Sequence, residues 1–150
     1  MILTAIGVFI LDRLVKIWTL ITLADGTILH LWPGVFRLVY AENTGAAFGI
    51  FSRTPWVGYV LTPLVLLLGY FLLRGYRLGL WPKLCAGAIL GGALGNYLDR
   101  LLYGFVIDMI DVTFMDFAVF NLADAAICAG GALLAASLLF RTNDWRPQHG

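Results

Sequence analysis

The chain has 150 residues, 61% of them hydrophobic and only 13% charged, with a mean hydropathy of +0.87. Soluble domains carry about 25% charged residues and avoid large apolar patches, so the composition excludes an ordinary water-soluble protein. The net charge of +1 leaves no basic field for nucleic acid and no acidic tail.

Four apolar stretches, at about residues 1–23, 55–73, 82–98 and 121–140, approach the ~20 residues that a helix needs to cross hydrocarbon. Unbroken runs of this length satisfy their backbone as helices. The predicted fold is therefore membrane all-α, a four-transmembrane-helix bundle in one domain. The first stretch has no basic residue ahead of it and no small-residue cleavage site after it, so it is expected to be a retained helix and not a signal peptide. Asp12 and Lys16 interrupt it four residues apart, where they can pair on one face. A pair about 16 Å along the helix, at 1.5 Å per residue, should face the protein interior and anchor helix 1 to a polar cluster. Arg13 lies elsewhere on the wheel and is expected to snorkel outward or to bond a loop.

The connection over residues 24–53 is rich in aromatic and branched side chains. Val35 to Tyr40 has strand character, Asn43-Thr44-Gly45 looks like a turn, and Ala46 to Phe51 is apolar again. These features predict a small β-sheet cradle between helices 1 and 2 on the outer membrane surface. Trp18, Trp32 and Trp56 should sit near that interface. Pro55 and Pro82 suit first helical positions, and Pro63 can kink the second helix. Gly87, Gly91 and Gly95 form a small-residue stripe for close helix packing, expected to bring the ends of helices 3 and 4 together. The tail over residues 143–150 is polar and expected to be loose.

Arg74, Arg77 and Lys83 follow helix 2, and Arg141 and Arg146 follow helix 4. The positive-inside rule puts both groups, and both termini, in the cytoplasm. Cys85 and Cys128 each sit in an apolar run and are expected to pack as thiols. His30 and His149 have no partners at ligand spacing, so no zinc, haem or other cofactor is expected.

The polar residues collect at the opposite, outer end. Helix 3 closes on Asn96-Tyr97-Leu98-Asp99-Arg100 and helix 4 opens on Asn121-Leu122-Ala123-Asp124, with Asp108, Asp111 and Asp116 in the connection. Taken singly, Asn121 and Asp124 suit a helix start and Asp99-Arg100 an end-of-helix ion pair. As a set, ionisable groups at membrane depth point to a site. Two close carboxylates share a proton, so one can activate water while the other polarises a peptide carbonyl. Spacing alone pairs Asp124 as readily with Asp99 as with Asp108, and it reaches only an aspartate hydrolase at a membrane face.

The motifs resemble those of the lipoprotein signal peptidases, signal peptidase II. They are Asp12-x-x-x-Lys16, Asn43-Thr44-Gly45-Ala46-Ala47-Phe48-Gly49, Gly91-Gly92-Ala93-Leu94-Gly95-Asn96-Tyr97-Leu98-Asp99-Arg100, Val106-Ile107-Asp108 and Phe120-Asn121-Leu122-Ala123-Asp124. The resemblance implies an aspartyl endopeptidase that cuts just before the lipid-bearing cysteine of a diacylglyceryl-modified prolipoprotein in the bacterial inner membrane. It implies Asp108 and Asp124 as the catalytic pair, with Asn43, Gly45, Asn96, Asp99, Arg100 and Asn121 lining or supporting the site. Asp12 and Lys16 map onto a structural or site-adjacent pair, and no metal or obligate protein partner is implied. Arg13 stands where Gln is more usual, Ala118-Val119 replaces a frequent Pro-Ala, and the stretch from Asp108 to Asp124 is slightly short. A small proton-coupled transporter would also embed carboxylates, though nearer the midplane. An assembly factor using the glycine stripe would leave the aspartates without a role.

Overall fold

The computed structural model describes residues 1–45 and 56–147. The expected apolar segment Ala46 to Phe51, Pro55 and His149 lie outside the described residues. Among the described residues, helix α1 (Ile2–Leu23) leads into strands β1 (Leu29–Trp32) and β2 (Phe36–Asn43). Helix α2 (Trp56–Leu73) and strand β3 (Tyr76–Leu78) precede helix α3 (Leu80–Tyr103), strand β4 (Val106–Val112), helix α4 (Leu122–Phe140) and strand β5 (Trp145–Pro147).

The bundle is polar inside and apolar outside. Asp12, Lys16, Thr19, Asp99 and Asn121 are all buried to 1% exposure or less, whereas Leu3, Ile21, Leu139 and Phe140 are 74–85% exposed. Water-soluble cores have the reverse distribution. Helix α4 alone, among the described residues, is long and apolar enough to cross a bilayer by length and composition, and only 17% of its apolar window is buried. Helix α1 is long enough but carries Asp12, Arg13 and Lys16, and glycines and terminal polar residues dilute α3.

Glycines set the helix spacing, although not as the sequence suggests. A Cβ on Gly87 would meet Met1 and Thr4, one on Gly91 would meet Ala5 and Val8, and one on Gly95 would meet the Asp12 carboxylate. The stripe therefore packs α3 against α1. Gly92, one residue round the wheel, makes the approach to α4, at the Ala123 carbonyl and Ile127. Helix α3 also runs past the expected end at Leu98 to Tyr103, where Gly104 closes it at φ 82°. Asp99 and Arg100 are thus helix-interior residues.

The outer sheet has the order β1-β2-β4, antiparallel throughout. Its third strand is the unexpected one, because it comes from the 3–4 connection. Phe120 then folds back on β4: its N–H donates to the Ile110 carbonyl (3.1 Å) and its carbonyl accepts the Ile110 N–H (2.8 Å). That bridge delivers the chain to the start of α4 beside β4. At the other end, β3 pairs with β5. Residues 145–147 of the tail are therefore a strand, anchored further by Trp145 Nε1 donating to Ser137 Oγ (3.2 Å). Cys85 is buried as expected, but Cys128 is exposed.

Candidate active site

Strand β4 supplies Asp108. Its sequence Val106-Ile107-Asp108-Met109 is buried throughout, so this carboxyl sits among apolar neighbours at 1% exposure. The β2–β4 register puts Asn43 opposite Val106 and Ala41 opposite Asp108, so Asn43 and Asp108 are diagonal neighbours on one face. Asn43 Nδ2 donates to Asp108 Oδ2 (2.9 Å), while its Oδ1 accepts the Gly45 N–H (3.0 Å). That second bond is the expected turn, now seen to aim the amide.

Helix α4 supplies Asp124 through its first turn. Asn121 is the N-cap: its Oδ1 accepts the Asp124 N–H (2.9 Å) and Asp124 Oδ2 accepts the Asn121 N–H (3.3 Å). This reciprocal capping box fixes the carboxylate's direction. Asn121 Nδ2 donates to Asp108 Oδ1 (2.6 Å), with Asn96 Oδ1 (3.1 Å) and the Ile107 carbonyl (3.3 Å) sharing its hydrogens. One asparagine therefore caps the helix that carries Asp124 and holds Asp108. Asn96, from α3, completes the link by donating from Nδ2 to Asp124 Oδ1 (2.7 Å).

Below the two carboxylates lies a quartet of charges. Lys16 Nζ donates to Asn96 Oδ1 (2.7 Å) and is ion-paired with Asp99 Oδ2 (2.7 Å) and Asp12 Oδ2 (3.1 Å). Arg13 does not snorkel outward: it reaches Asp99 Oδ1 (2.6 Å) and Asp12 Oδ2 (3.3 Å). Asp12 Oδ1 also accepts the Ala123 N–H of α4 (3.2 Å), and Asp99 Oδ2 accepts the Ile107 N–H of β4 (3.2 Å). Two cations and two carboxylates thus tie α1 to α3, α4 and β4. Asp99 and Arg100 do not pair with each other. Arg100 instead reaches the Gly45 carbonyl (3.0 Å) and the Asn96 carbonyl (3.2 Å), across the face of Gly58 in α2.

The ten singled-out residues therefore divide. Asp108, Asp124, Asn43, Asn96 and Asn121 form one bonded cluster. Asp12, Lys16 and Asp99 belong to the quartet, joined to the cluster through the Lys16–Asn96 bond. Arg100 and Gly45 close the side toward α2. Asp111 pairs with Arg37 across the sheet (2.7 Å), and Asp116 is exposed. Sequence reasoning missed Tyr59, whose hydroxyl donates to the Arg100 carbonyl (2.5 Å), and gave no strand to residues 106–112. The β-branched Val106, Ile107, Ile110 and Val112 carried a signal for that strand.

Burial pushes the Asp108 carboxyl up to about 7. The Asn43 amide pulls it down, the nearby Asp124 charge pushes it up, and Asn121 and Lys16 pull it down by less. Such a carboxyl holds a proton near neutrality and can donate it. Beside the pair opens an apolar groove lined by Asn43, Phe117, Val119, Asp124, Ile127 and Cys128 among others. An extended apolar segment laid in it would pass within reach of Asp124.

Comparison with known proteins gives one answer. Residues 4–140 match the family described as Signal peptidase (SPase) II. The chain is 43% identical over 132 residues to the lipoprotein signal peptidase of Nostoc sp., covering 87% of this chain and 84% of that one. It is 40% identical over 131 residues to the lipoprotein signal peptidase of Streptococcus pyogenes, covering 85% of each. A bacterial membrane enzyme solved by the in meso method at 1.9 Å superposes with a TM-score of 0.79 at 31% identity, over 93% of this chain and 92% of that one.

Proposed function

The chain belongs to the signal peptidase II family and is a membrane protein, and from that premise we propose that it is an aspartyl endopeptidase acting on diacylglyceryl-modified prolipoproteins. The bond cut is the one just before the lipid-bearing cysteine, and Asp108 and Asp124 carry out the cut. The observation that carries this reading is the bonded cluster itself. Two carboxyls, Asp108 buried with its proton held to about 7 and Asp124 half-buried, are aimed by three asparagine amides beside an apolar groove.

The chemistry follows from the two settings. Asp124 sits in the first turn of α4, where backbone N–H groups favour a negative charge. It takes a proton from a water, whose oxygen attacks the scissile carbonyl carbon. Protonated Asp108 donates to the carbonyl oxygen as charge develops there. On collapse, the C–N bond breaks, Asp124 passes the proton taken from water to the leaving amine, and a hydroxyl of the tetrahedral diol returns a proton to Asp108 as the new carboxyl forms, so neither carboxyl is consumed.

All four helices span the bilayer in this reading, with the charged faces of α1 and α3 turned inward and both termini cytoplasmic. The site then lies at the outer face of a bacterial inner membrane, the acyl chains stay in lipid, and the signal peptide occupies the groove. The exposed Leu31, Trp32, Phe114 and Met115 of the sheet end enter the headgroup layer. No cofactor or second protein enters the mechanism.

The test is purified protein in detergent with a diacylglyceryl-modified prolipoprotein, read as the gel shift on loss of the signal peptide. Wild type cleaves, while Asp108→Asn and Asp124→Asn do not. Cleavage that survives Asp108→Asn would make another carboxylate the partner of Asp124. No cleavage by folded wild type would favour proton-coupled transport instead.

A further inference from the structure

The end of the bundle away from the aspartates carries an unbalanced positive charge. Arg74, Arg77, Lys83, Arg141 and Arg146 all lie there, on the α2–α3 connection, the first turn of α3 and the segment after α4, and all are exposed. Among the described residues, the carboxylate beside them is Asp144, which Arg141 already holds at 2.9 Å. No ion pair engages Arg77 or Arg146 among the described residues. Yet the β3–β5 ladder sets these two directly opposite each other.

That register is the unusual feature. Directly opposed residues of an antiparallel pair share a face, and like charges there are destabilising. Each strand is three residues long, and so short a two-stranded pair has little stability of its own to offset a repulsion. An anion between the two guanidinium groups converts the repulsion into two charge-assisted contacts, and the planar guanidinium fork matches phosphate oxygens. The surroundings identify the source of the phosphate. Trp81 (48% exposed) and Tyr76 (41%) flank the ladder, and Leu80 (69%) and Phe140 (83%) present bare apolar surface at the same end. Exposed indole and phenol rings beside apolar helix ends mark the headgroup level of a bilayer, and basic clusters at that level recruit anionic lipid.

We propose that Arg77 and Arg146 bind the phosphate of an anionic phospholipid headgroup in the leaflet away from Asp108 and Asp124, with Arg74 and Lys83 adding to the field. The bound lipid pins β3 to β5, and so the chain after α4 to the start of α3. The site is independent of peptidase activity, because it lies at the far end of α3 from the carboxylates.

The experiment uses the full chain in neutral detergent with added phosphatidylglycerol, phosphatidylcholine or inorganic phosphate at matched concentration. Thermal unfolding is followed for wild type, Arg77→Gln, Arg146→Gln and the double variant, with Arg37→Gln at the other end as control. Phosphatidylglycerol raises the wild-type Tm by about 2–4 °C over phosphatidylcholine, and high salt reduces the gain. Each single variant loses most of that gain, the double variant loses all of it, and Arg37→Gln keeps it. Without anionic lipid, the single variants are no less stable than wild type, because a repulsion has been removed. Equal shifts with both lipids, or a full gain in the double variant, overturn the proposal. A full gain with inorganic phosphate alone also overturns it, in favour of a free-anion site.

Discussion

Replacing Asp108 by Asn should abolish cleavage and at the same time stabilise the fold. The carboxyl titrates near 7 in the folded protein against a reference value of 3.8. A carboxyl whose folded pKa is raised contributes most to stability below about pH 4, and that contribution is lost as pH rises to about 7. At pH 8 the ionised, buried group therefore costs about 4 kcal/mol, at ~1.4 kcal/mol per unit. Asparagine removes that cost but offers one acceptor oxygen where Asp108 offers two, to Asn43 and to Asn121. The amide left without an acceptor loses about 1–3 kcal/mol, and Asn43, which is half-buried, is the one able to turn toward water. The net gain is about 1–3 kcal/mol at pH 8, or about 2–4 °C in Tm for each kcal/mol in a chain of this size. Thermal unfolding of wild type and variant in detergent, at pH 4.5 and pH 8, reads both the sign and the pH dependence. A variant less stable than wild type at pH 8, or one with the same gain at both pH values, would refute the reasoning.

The proton on Asp108 also predicts the rate profile: kcat/KM should fall as pH rises above about 7, measured from pH 5 to 9 on a lipid-modified substrate. Lys16→Met leaves Asp12 and Asp99 buried with Arg13 as their remaining cation, a loss of about 3–5 kcal/mol by analogy with broken buried pairs. Chemical denaturation should show that loss, and cleavage should fall as well, because Asn96 loses the ammonium that orients it. Gly92→Ala should cost about 1–3 kcal/mol, since its Cβ would collide with the Ala123 carbonyl. Gly7→Ala on α1 meets nothing within 4 Å and should be neutral or stabilising in the same assay. Asp111→Asn breaks a partly exposed pair with Arg37 and should shift stability by less than about 1 kcal/mol, with cleavage retained.

The helices were easy to find in the sequence because a lipid-facing helix advertises itself as a run of apolar residues, and their bounds differ by a few residues at most ends. The exception is the end of α3, where Asp99 and Arg100 look terminal by hydropathy but continue the helix to Tyr103. Strand β4 was harder. Asp108 and Asp111 break its apolar character, and its partner β2 lies more than 60 residues earlier. The tail strand β5 is three residues of Trp-Arg-Pro, a composition that says turn until β3 pairs with it. Within the site, Asn-x-x-Asp spacing correctly placed Asn121 against Asp124, because a capping box is local. It could not separate Asp99 from Asp108 as the second carboxyl. That choice depends on which way β4 folds over the helix ends, and no local spacing encodes it.

The same residues hold the bundle together and form the site, and the bilayer is the reason. Helices in lipid gain no hydrophobic drive for meeting one another, so close packing and polar contacts must hold them. Here α3 uses Gly87 and Gly91 against α1, Gly92 against α4, and Asp99 against Lys16 and Arg13. Asp99 is ion-paired with two cations and accepts one backbone N–H. Asp108 accepts two side-chain amides, Asp124 accepts one amide and one backbone N–H, and among the described residues no cation pairs directly with either. A carboxylate paired with buried cations cannot trade protons without leaving those charges unbalanced. A carboxyl held by neutral amides can, and that difference in partners is the physical ground for proposing a structural role for Asp99 and proton exchange for Asp108.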